Sequence, residues 1–306
     1  MLYIVTGGAG FIGSHLIEDL LANDHQVICV DDLSTGYLSN LPSSNSITVI
    51  IKGIQDLEVG ELPPNVAGIY HLAAQASVPQ SIENFYSSSK NNLLSTLKVL
   101  DIGIKMNIPI VYATSSAVYG NLPIGDDKLE SYDILSPYAQ DKLTMEHYAR
   151  MAWKVYKTKS IGLRFFNVFG PRQDATNPYS GVISVFIDRL CNKLPITVNG
   201  GHQTRDFIYV LDVVKCLSKS MNILHEKSMC ETLNVGTGKS VTIDSVLEYL
   251  SVIIMVKPKV LRAKLPSGDP EQSSGTYNKL GKILDLNINK FTNLYVGLKE
   301  TINFLK

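Results

Sequence analysis

The apolar run Leu2-Tyr3-Ile4-Val5 passes straight into Thr6-Gly7-Gly8-Ala9-Gly10-Phe11-Ile12-Gly13-Ser14, and an amphipathic stretch follows at once. Gly8, Gly10 and Gly13 fit G-x-G-x-x-G; Gly7, Gly10 and Gly13 fit G-x-x-G-x-x-G. Glycine at these points lets the backbone turn sharply and approach a pyrophosphate closely. The helix behind it turns unpaired N–H groups and a positive dipole end toward the same phosphates. Glycine strings are common in loops, so the context decides: a strand before, a helix after, and a carboxylate closing the next strand. Asp31 is that carboxylate, ending Val27-Ile28-Cys29-Val30-Asp31, 18 residues after Gly13. There it can accept from both ribose hydroxyls and repels a 2′-phosphate, which selects NAD over NADP.

The rest of the first half agrees with this start. Leu2–Val5, Gln26–Val30, Ile47–Ile51, Gly68–Leu72, Ile108–Ala113 and Ile161–Phe166 read as buried strands. Helical periodicity covers Gly13–Asn23, Asn84–Met106 and Pro137–Lys157. The alternation predicts an α/β fold: a Rossmann-type doubly wound parallel sheet with a smaller mixed α/β C-terminal lobe for substrate. The expected domains are residues 1–170 for the dinucleotide and 171–306 for substrate, with part of 205–240 returning to the sheet. The 306 residues carry 28 Lys+Arg against 28 Asp+Glu, which argues against a general electrostatic grip on nucleic acid or on an anionic membrane. Cys29, Cys191, Cys216 and Cys230 are far apart and the six histidines show no ligand spacing, so neither a metal site nor a disulfide framework is indicated. The sequence shows no signal-peptide pattern at its start, and Val246–Val256 is too short to span a bilayer. A cytoplasmic enzyme is expected.

Tyr138 and Lys142 stand four apart at the start of a helix that Pro137 opens, so they share a face. An ammonium beside a phenol favours phenolate and predicts a Tyr138 pKa below the usual 10 or so, which suits a general base for a sugar hydroxyl. Thr114-Ser115-Ser116 at a strand end offers a hydroxyl for the same substrate oxygen. Gly236-Thr237-Gly238-Lys239-Ser240 mimics the end of a phosphate-binding loop, but the required first glycine falls on Leu233, and a simple turn is expected.

Together TGGAGFIG, HLAAQASV (71–78), ATSSAVYG (113–120), YAQDK (138–142), LRFFNVFGPRQ (163–173) and QTRDFIYV (203–210) resemble the extended short-chain dehydrogenase/reductases, and within them the sugar-nucleotide 4-epimerases. The resemblance implies that Gly7, Gly10, Phe11, Ile12 and Gly13 hold the NAD pyrophosphate and Asp31 the adenosine ribose. It implies that Leu72, Ala73 and Ala74 line the cofactor, supported by Asn91. Ser115, Tyr138 and Lys142 take the catalytic places, with Tyr138 as base and Lys142 also on the nicotinamide ribose. Ser77, Ser115, Asn167, Tyr179, Ser180, Arg205, Asp269 and Ser273 take places near a UDP-sugar, Arg205 at the diphosphate and Asp269 at the nucleotide ribose. A homodimer through the helices at 84–106 and 137–157 is implied as well.

Sugar-nucleotide 4,6-dehydratases carry an Asp-Glu pair after the catalytic hydroxyl; here those places are Ser116 and Ala117, which cannot protonate a leaving group. A 4-epimerase needs one base and one returning hydride. Four residues after Asp269, a bulky Tyr in related enzymes closes the sugar C2 side, whereas Ser273 leaves room for an acetamido group. The reading is therefore interconversion of UDP-N-acetylglucosamine and UDP-N-acetylgalactosamine. The alternatives are UDP-glucose or UDP-glucuronate 4-epimerisation, another NAD-dependent change to a sugar nucleotide, or an idle NAD-binding subunit. Three places depart from the pattern. Gly53 stands where an adenine-binding Asp is usual, leaving Gln55 or Asp56 to substitute; Asn199-Gly200-Gly201 replaces Gly-Asp-Gly; and Pro266 replaces a diphosphate Arg, with Arg262 or Lys264 as candidates to compensate. His71 reads as structural.

Overall fold

The computed structural model describes residues 1–175, 181–265 and 269–305. In chain order it opens with β1 (Leu2–Thr6), α1 (Phe11–Ala22), β2 (Gln26–Asp31), β3 (Ile47–Ile51), β4 (Val66–His71), α2 (Val78–Glu83), α3 (Phe85–Met106), β5 (Ile110–Ser115), α4 (Pro137–Tyr156) and β6 (Ser160–Phe165). There follow β7 (Asn167–Phe169), α5 (Val182–Cys191), β8 (Ile196–Asn199), β9 (Thr204–Tyr209), α6 (Val210–Glu226) and β10 (Cys230–Val235). The chain closes with β11 (Ser240–Thr242), α7 (Ile243–Ile254), β12 (Val260–Ala263), β13 (Gln272–Ser273), α8 (Asn278–Leu284) and α9 (Leu294–Leu305). Among the described residues no helix is long and apolar enough to cross a membrane.

The chain divides into two units. The first comprises Met1–Ser115, Ser136–Arg164 and Val213–Leu233; the second comprises Ser116–Leu135, Phe165–Asp212 and Asn234–Lys306. The two units are interleaved along the chain, with Val213–Leu233 counted in the first. Ser116–Leu135 groups with the second unit because Gly125 bridges Gly275 and the Asp127 carboxylate accepts the Asn234 amide at 2.9 Å.

In the first unit the sheet order is β3-β2-β1-β4-β5-β6-β10, and the pairs from β3 to β5 are parallel. The order reverses at β1, which lies between β2 and β4, so ligands are expected outside the carboxyl ends of β1 and β4. Both faces are covered, which explains the unbroken apolar runs: Tyr3, Ile4 and Val5 are all buried. Ile4, Ile28, Ile69, Ile110 and Tyr112 form one core with Val99 and Ile102 of α3 and Met145 and Ala149 of α4. Element boundaries differ from the sequence pattern by one or two residues, as at β4 and β5. Ile108 ends the α3 turn, its N–H bonded to Gly103 O at 3.1 Å, so β5 starts at Ile110 and runs on to Ser115. Helix α2 is not legible in the sequence as an element; Ser77 caps it and a proline enters its first turn.

The second unit builds on β9, which pairs in parallel with β7 through Phe207–Tyr209, antiparallel with β11 and parallel with β13. A two-stranded parallel ribbon, β8 with β12, completes its strands.

Helix α4 is fixed at both ends and in the middle. Ser136 accepts from Ala139 N at 3.2 Å, Pro137 enters the first turn, and Lys157 ends the helix at a left-handed φ of 59°. In its middle the fully buried Glu146 accepts two bonds from Arg164 on β6, at 2.9 and 2.6 Å, and one from Thr114 on β5 at 2.7 Å. An ion pair of this kind adds little over an apolar substitute, yet losing one partner strands a buried charge. Arg164→Met is expected to lower unfolding free energy by about 3–5 kcal/mol in urea titrations, and Glu146→Leu added to it to recover most of the loss. Additive losses in the double variant would contradict this account.

Candidate active site

Gly7 follows β1 with φ +67°, donates to Val30 O at 2.9 Å, and its carbonyl accepts from Gly10 N at 3.2 Å. A Cβ on Gly7 would lie 2.7 Å from Ala73 N, and one on Gly13 would lie 2.2 Å from Gly7 O. The turn therefore closes only with hydrogen at both positions. Gly10 begins α1 without a side-chain cap and with no acid in the first turn, leaving that end electropositive. Phe11 and Ile12 are its first two residues. Asp31 is buried, its carboxylate accepting from Ala9 N and Leu33 N, each at 2.9 Å. Burial pushes its pKa up while these two amides pull it down. A carboxylate held in place beside a glycine cradle is the donor and acceptor set a dinucleotide needs, and these residues fit NAD.

Leu72, Ala73 and Ala74 leave the end of β4 alongside this turn, with Leu72 N bonded to Thr6 O at 3.1 Å and Ala73 N to Thr6 Oγ1 at 3.1 Å. Thr96 Oγ1 donates to Asn92 O at 2.8 Å, so the Nε2 of the buried neutral His71 is the donor toward it at 3.4 Å. His71 Nδ1 then accepts the proton of Thr6 Oγ1, 2.8 Å away. Burial, with Lys142 nearby, lowers the His71 pKa to about 3, so the ring is neutral and structural. Asn91 is exposed, whereas Asn92 is buried and bonds Gln75 N, Gln75 O and Asp141. Its signal was present in the sequence: Ser88, Asn92 and Thr96 recur every fourth residue as a polar stripe on a face that is buried. Ser77 Oγ accepts from Gln80 N at 3.1 Å as the α2 cap.

Ser115 at the end of β5 hydrogen-bonds the Tyr138 hydroxyl. Lys142, one turn on, is buried; its ammonium donates to Ala113 O at 2.9 Å and lies 5.7 Å from the Tyr138 ring centre. All three predicted catalytic side chains thus meet. Their proton affinities differ from the expectation, however. Burial raises the Tyr138 pKa, with the Ser115 bond opposing it, and burial pushes Lys142 down to about 8. For Tyr138, desolvation of the charged form outweighs the Ser115 bond, which spacing alone cannot reveal. Ser81, unnoticed in the sequence, receives the Tyr138 N–H at 3.2 Å and so helps fix the helix start.

In the second unit Arg205 donates to Thr204 O at 2.8 Å and pairs with Asp269, 64 residues along the chain. Ser273 on β13 lies in register with Arg205, and its carbonyl accepts from Ser240 Oγ at 3.0 Å. Asn167 stands on β7 opposite Phe207. Tyr179, Ser180 and Pro266 lie outside the described residues. Arg262 is engaged elsewhere, donating to Asp244 at 2.6 Å, and Lys264 is exposed. Gln55 folds over Gly53, and Asp56 is exposed. The phosphate-loop mimic has its own anion. The fully buried Asp206 accepts from Thr237 N at 3.0 Å, Gly238 N at 2.8 Å, Thr237 Oγ1 at 2.6 Å and Tyr277 OH at 2.6 Å.

Comparison with known proteins places these features in a setting. A model of the NAD dependent epimerase/dehydratase family matches residues 3–236. A Methanocaldococcus jannaschii protein described as a putative UDP-glucose 4-epimerase is 34% identical, spanning 100% of this chain and 98% of its own. The structure of UDP-N-acetylglucosamine 4-epimerase from Methanobrevibacter ruminantium M1, in complex with UDP-N-acetylmuramic acid, is 33% identical with a TM-score of 0.91, over 99% and 97% of the two chains. That of the Thermus thermophilus UDP-glucose 4-epimerase with NAD is 32% identical with a TM-score of 0.87, over 99% and 98%.

Gly13→Ala is expected to raise the Kd for NAD at least about 10-fold, or ~1.4 kcal/mol, in calorimetric titration, with far-ultraviolet dichroism unchanged. Unaltered affinity would remove the turn from cofactor binding.

Proposed function

The chain belongs to the NAD-dependent epimerase/dehydratase family, and we propose that within it this protein is a UDP-sugar 4-epimerase acting on UDP-N-acetylglucosamine and UDP-N-acetylgalactosamine. The observation that carries the reaction class is the meeting of Ser115, Tyr138 and Lys142 at the end of β5, with Ser116 and Ala117 offering no additional acid. Tyr138 takes the proton of the C4 hydroxyl and Ser115 hydrogen-bonds the same oxygen. Held by the Gly7–Gly13 turn and Asp31, NAD would supply a reversible hydride acceptor for C4, so that no net oxidation would result. Lys142, held on Ala113 O, stabilises the Tyr138 phenolate that takes this proton. Tyr138 then returns its proton to the oxygen of the 4-keto sugar. Arg205 takes the diphosphate and Asp269 the nucleotide ribose, and their pairing sets the two side chains next to one another.

Ser273, in register with Arg205, supports an N-acetylated sugar, since no large side chain stands at that place. The similarity to the Methanobrevibacter ruminantium enzyme points the same way. UDP-glucose and UDP-galactose form the second reading, favoured by the descriptions of the Methanocaldococcus jannaschii and Thermus thermophilus proteins. The test is incubation with UDP-N-acetylglucosamine and UDP-glucose separately, adding NAD, and chromatographic resolution of the C4 epimers. The N-acetylated pair is expected to give the higher kcat/KM; failure of both substrates removes the activity. Tyr138→Phe is expected to lower kcat by about 10²–10⁴-fold while retaining NAD.

The reading includes a cytoplasmic homodimer. Tyr86, Leu94 and Leu97 of α3 and Tyr148, Met151 and Val155 of α4 are exposed apolar side chains on two helices that pack side by side. Sedimentation velocity is expected to give twice the chain mass of 33.7 kDa, and a monomer with Leu94→Glu and Met151→Glu combined.

A further inference from the structure

Asp141 immediately precedes Lys142 and is 3% exposed, yet nothing in the reaction described above uses it. Its Oδ2 accepts from Asn92 Nδ2 at 3.1 Å. The direction of that bond follows from a backbone group: Gln75 N–H, 2.9 Å from Asn92 Oδ1, makes that end of the amide the acceptor. The other end must then be the NH₂, which donates to Gln75 O at 3.2 Å and to Asp141. Asn92 therefore ties the carboxylate on α4 to the segment Leu72–Gln75 that follows β4.

The charges acting on Lys142 come from several elements. From β5 it meets Ala113 O, and from α4 the Tyr138 ring. His71 on β4 faces it as a neutral ring, its Nδ1 occupied by the Thr6 proton. Two carboxylates favour its ammonium form, Asp141 and Glu146, against the penalty of burial. Glu146 is already matched by the Arg164 guanidinium. Among the described residues no cation forms an ion pair with Asp141; burial raises its pKa, opposed by the Asn92 bond and, more weakly, by the charge of Lys142. Asp141 also favours the protonated phenol of Tyr138.

We propose that Asp141 is a positioning residue of the epimerase reaction, a buried counter-charge that keeps Lys142 an ammonium and, through Asn92, locks α4 to the cofactor-binding segment. The proposal rests on the reading of Tyr138 and Lys142 as the catalytic pair. A negative charge raises the proton affinity of both, so removing it lowers both. In Asp141→Asn, which keeps an oxygen acceptor and loses the charge, both limbs of the kcat–pH profile are expected to move to lower pH by about half to one unit. Asp141→Glu, which keeps the charge, is expected to restore them. In Asn92→Ala the charge remains and the tether is lost, so Kd for NAD is expected to rise about 5-fold with the limbs in place. A purely structural Asp141 would depress the plateau in all three variants and leave the limbs alone.

The measurement uses the full-length protein with NAD bound. Tyrosinate absorbance of the NAD complex, taken against a Tyr138→Phe background with and without Asp141→Asn, follows the same shift without turnover. If the wild-type protein epimerises no UDP-sugar, the activity reading fails while this titration still tests Asp141. Limbs and tyrosinate titration within about 0.2 unit of wild type in a folded Asp141→Asn would overturn the proposal.

Discussion

The register of α4 on β5 is the constraint on which the first unit's chemistry depends. Tyr138, Lys142 and Glu146 stand on three successive turns, and each delivers a polar atom to the end of one strand or its neighbour. Every one of these groups is buried, and a buried polar group without its partner costs on the order of 1–3 kcal/mol, more when charged. A helix shifted by one residue would orphan all three together. The Tyr138 hydroxyl is thereby set against Ser115 by interactions that lie mostly away from it. Ser136 and Ser81 at the helix start and the Glu146–Arg164 pair in its middle hold the geometry in which Ser115 and Tyr138 meet.

Features that depend on neighbours in sequence were legible from sequence. The strand, the glycines, α1 and Asp31 form one local unit, and the structure repeats it with Asp31 bonded to Ala9. Tyr138 and Lys142 needed only the helical spacing of four. What escaped was decided by burial or by long separation. One residue along a helix is a rotation of about 100°, which separates the exposed Asn91 from the buried Asn92. The direction of the Tyr138 shift turns on how much water is removed, a property of the whole packed unit. Arg205 and Asp269 were each singled out, but their pairing across 64 residues had no sequence signal. Arg262, considered as a substitute cation, is held by Asp244 for the same reason.

Two Gly-rich turns in this chain present backbone amides in a form suited to an anion, and they have opposite fates. At Gly7–Gly13 no acid stands in the first turn of the helix, and Asp31 accepts from the Ala9 amide without closing the helix end. At Thr237–Gly238 the amides are already saturated by Asp206, whose other acceptor sites are filled by Thr237 and Tyr277. The second turn thus carries its ligand as part of its own covalent chain. Of these two turns only Gly7–Gly13 leaves its helix end free of a carboxylate, and the turn whose sequence mimics the end of a phosphate loop is filled from within.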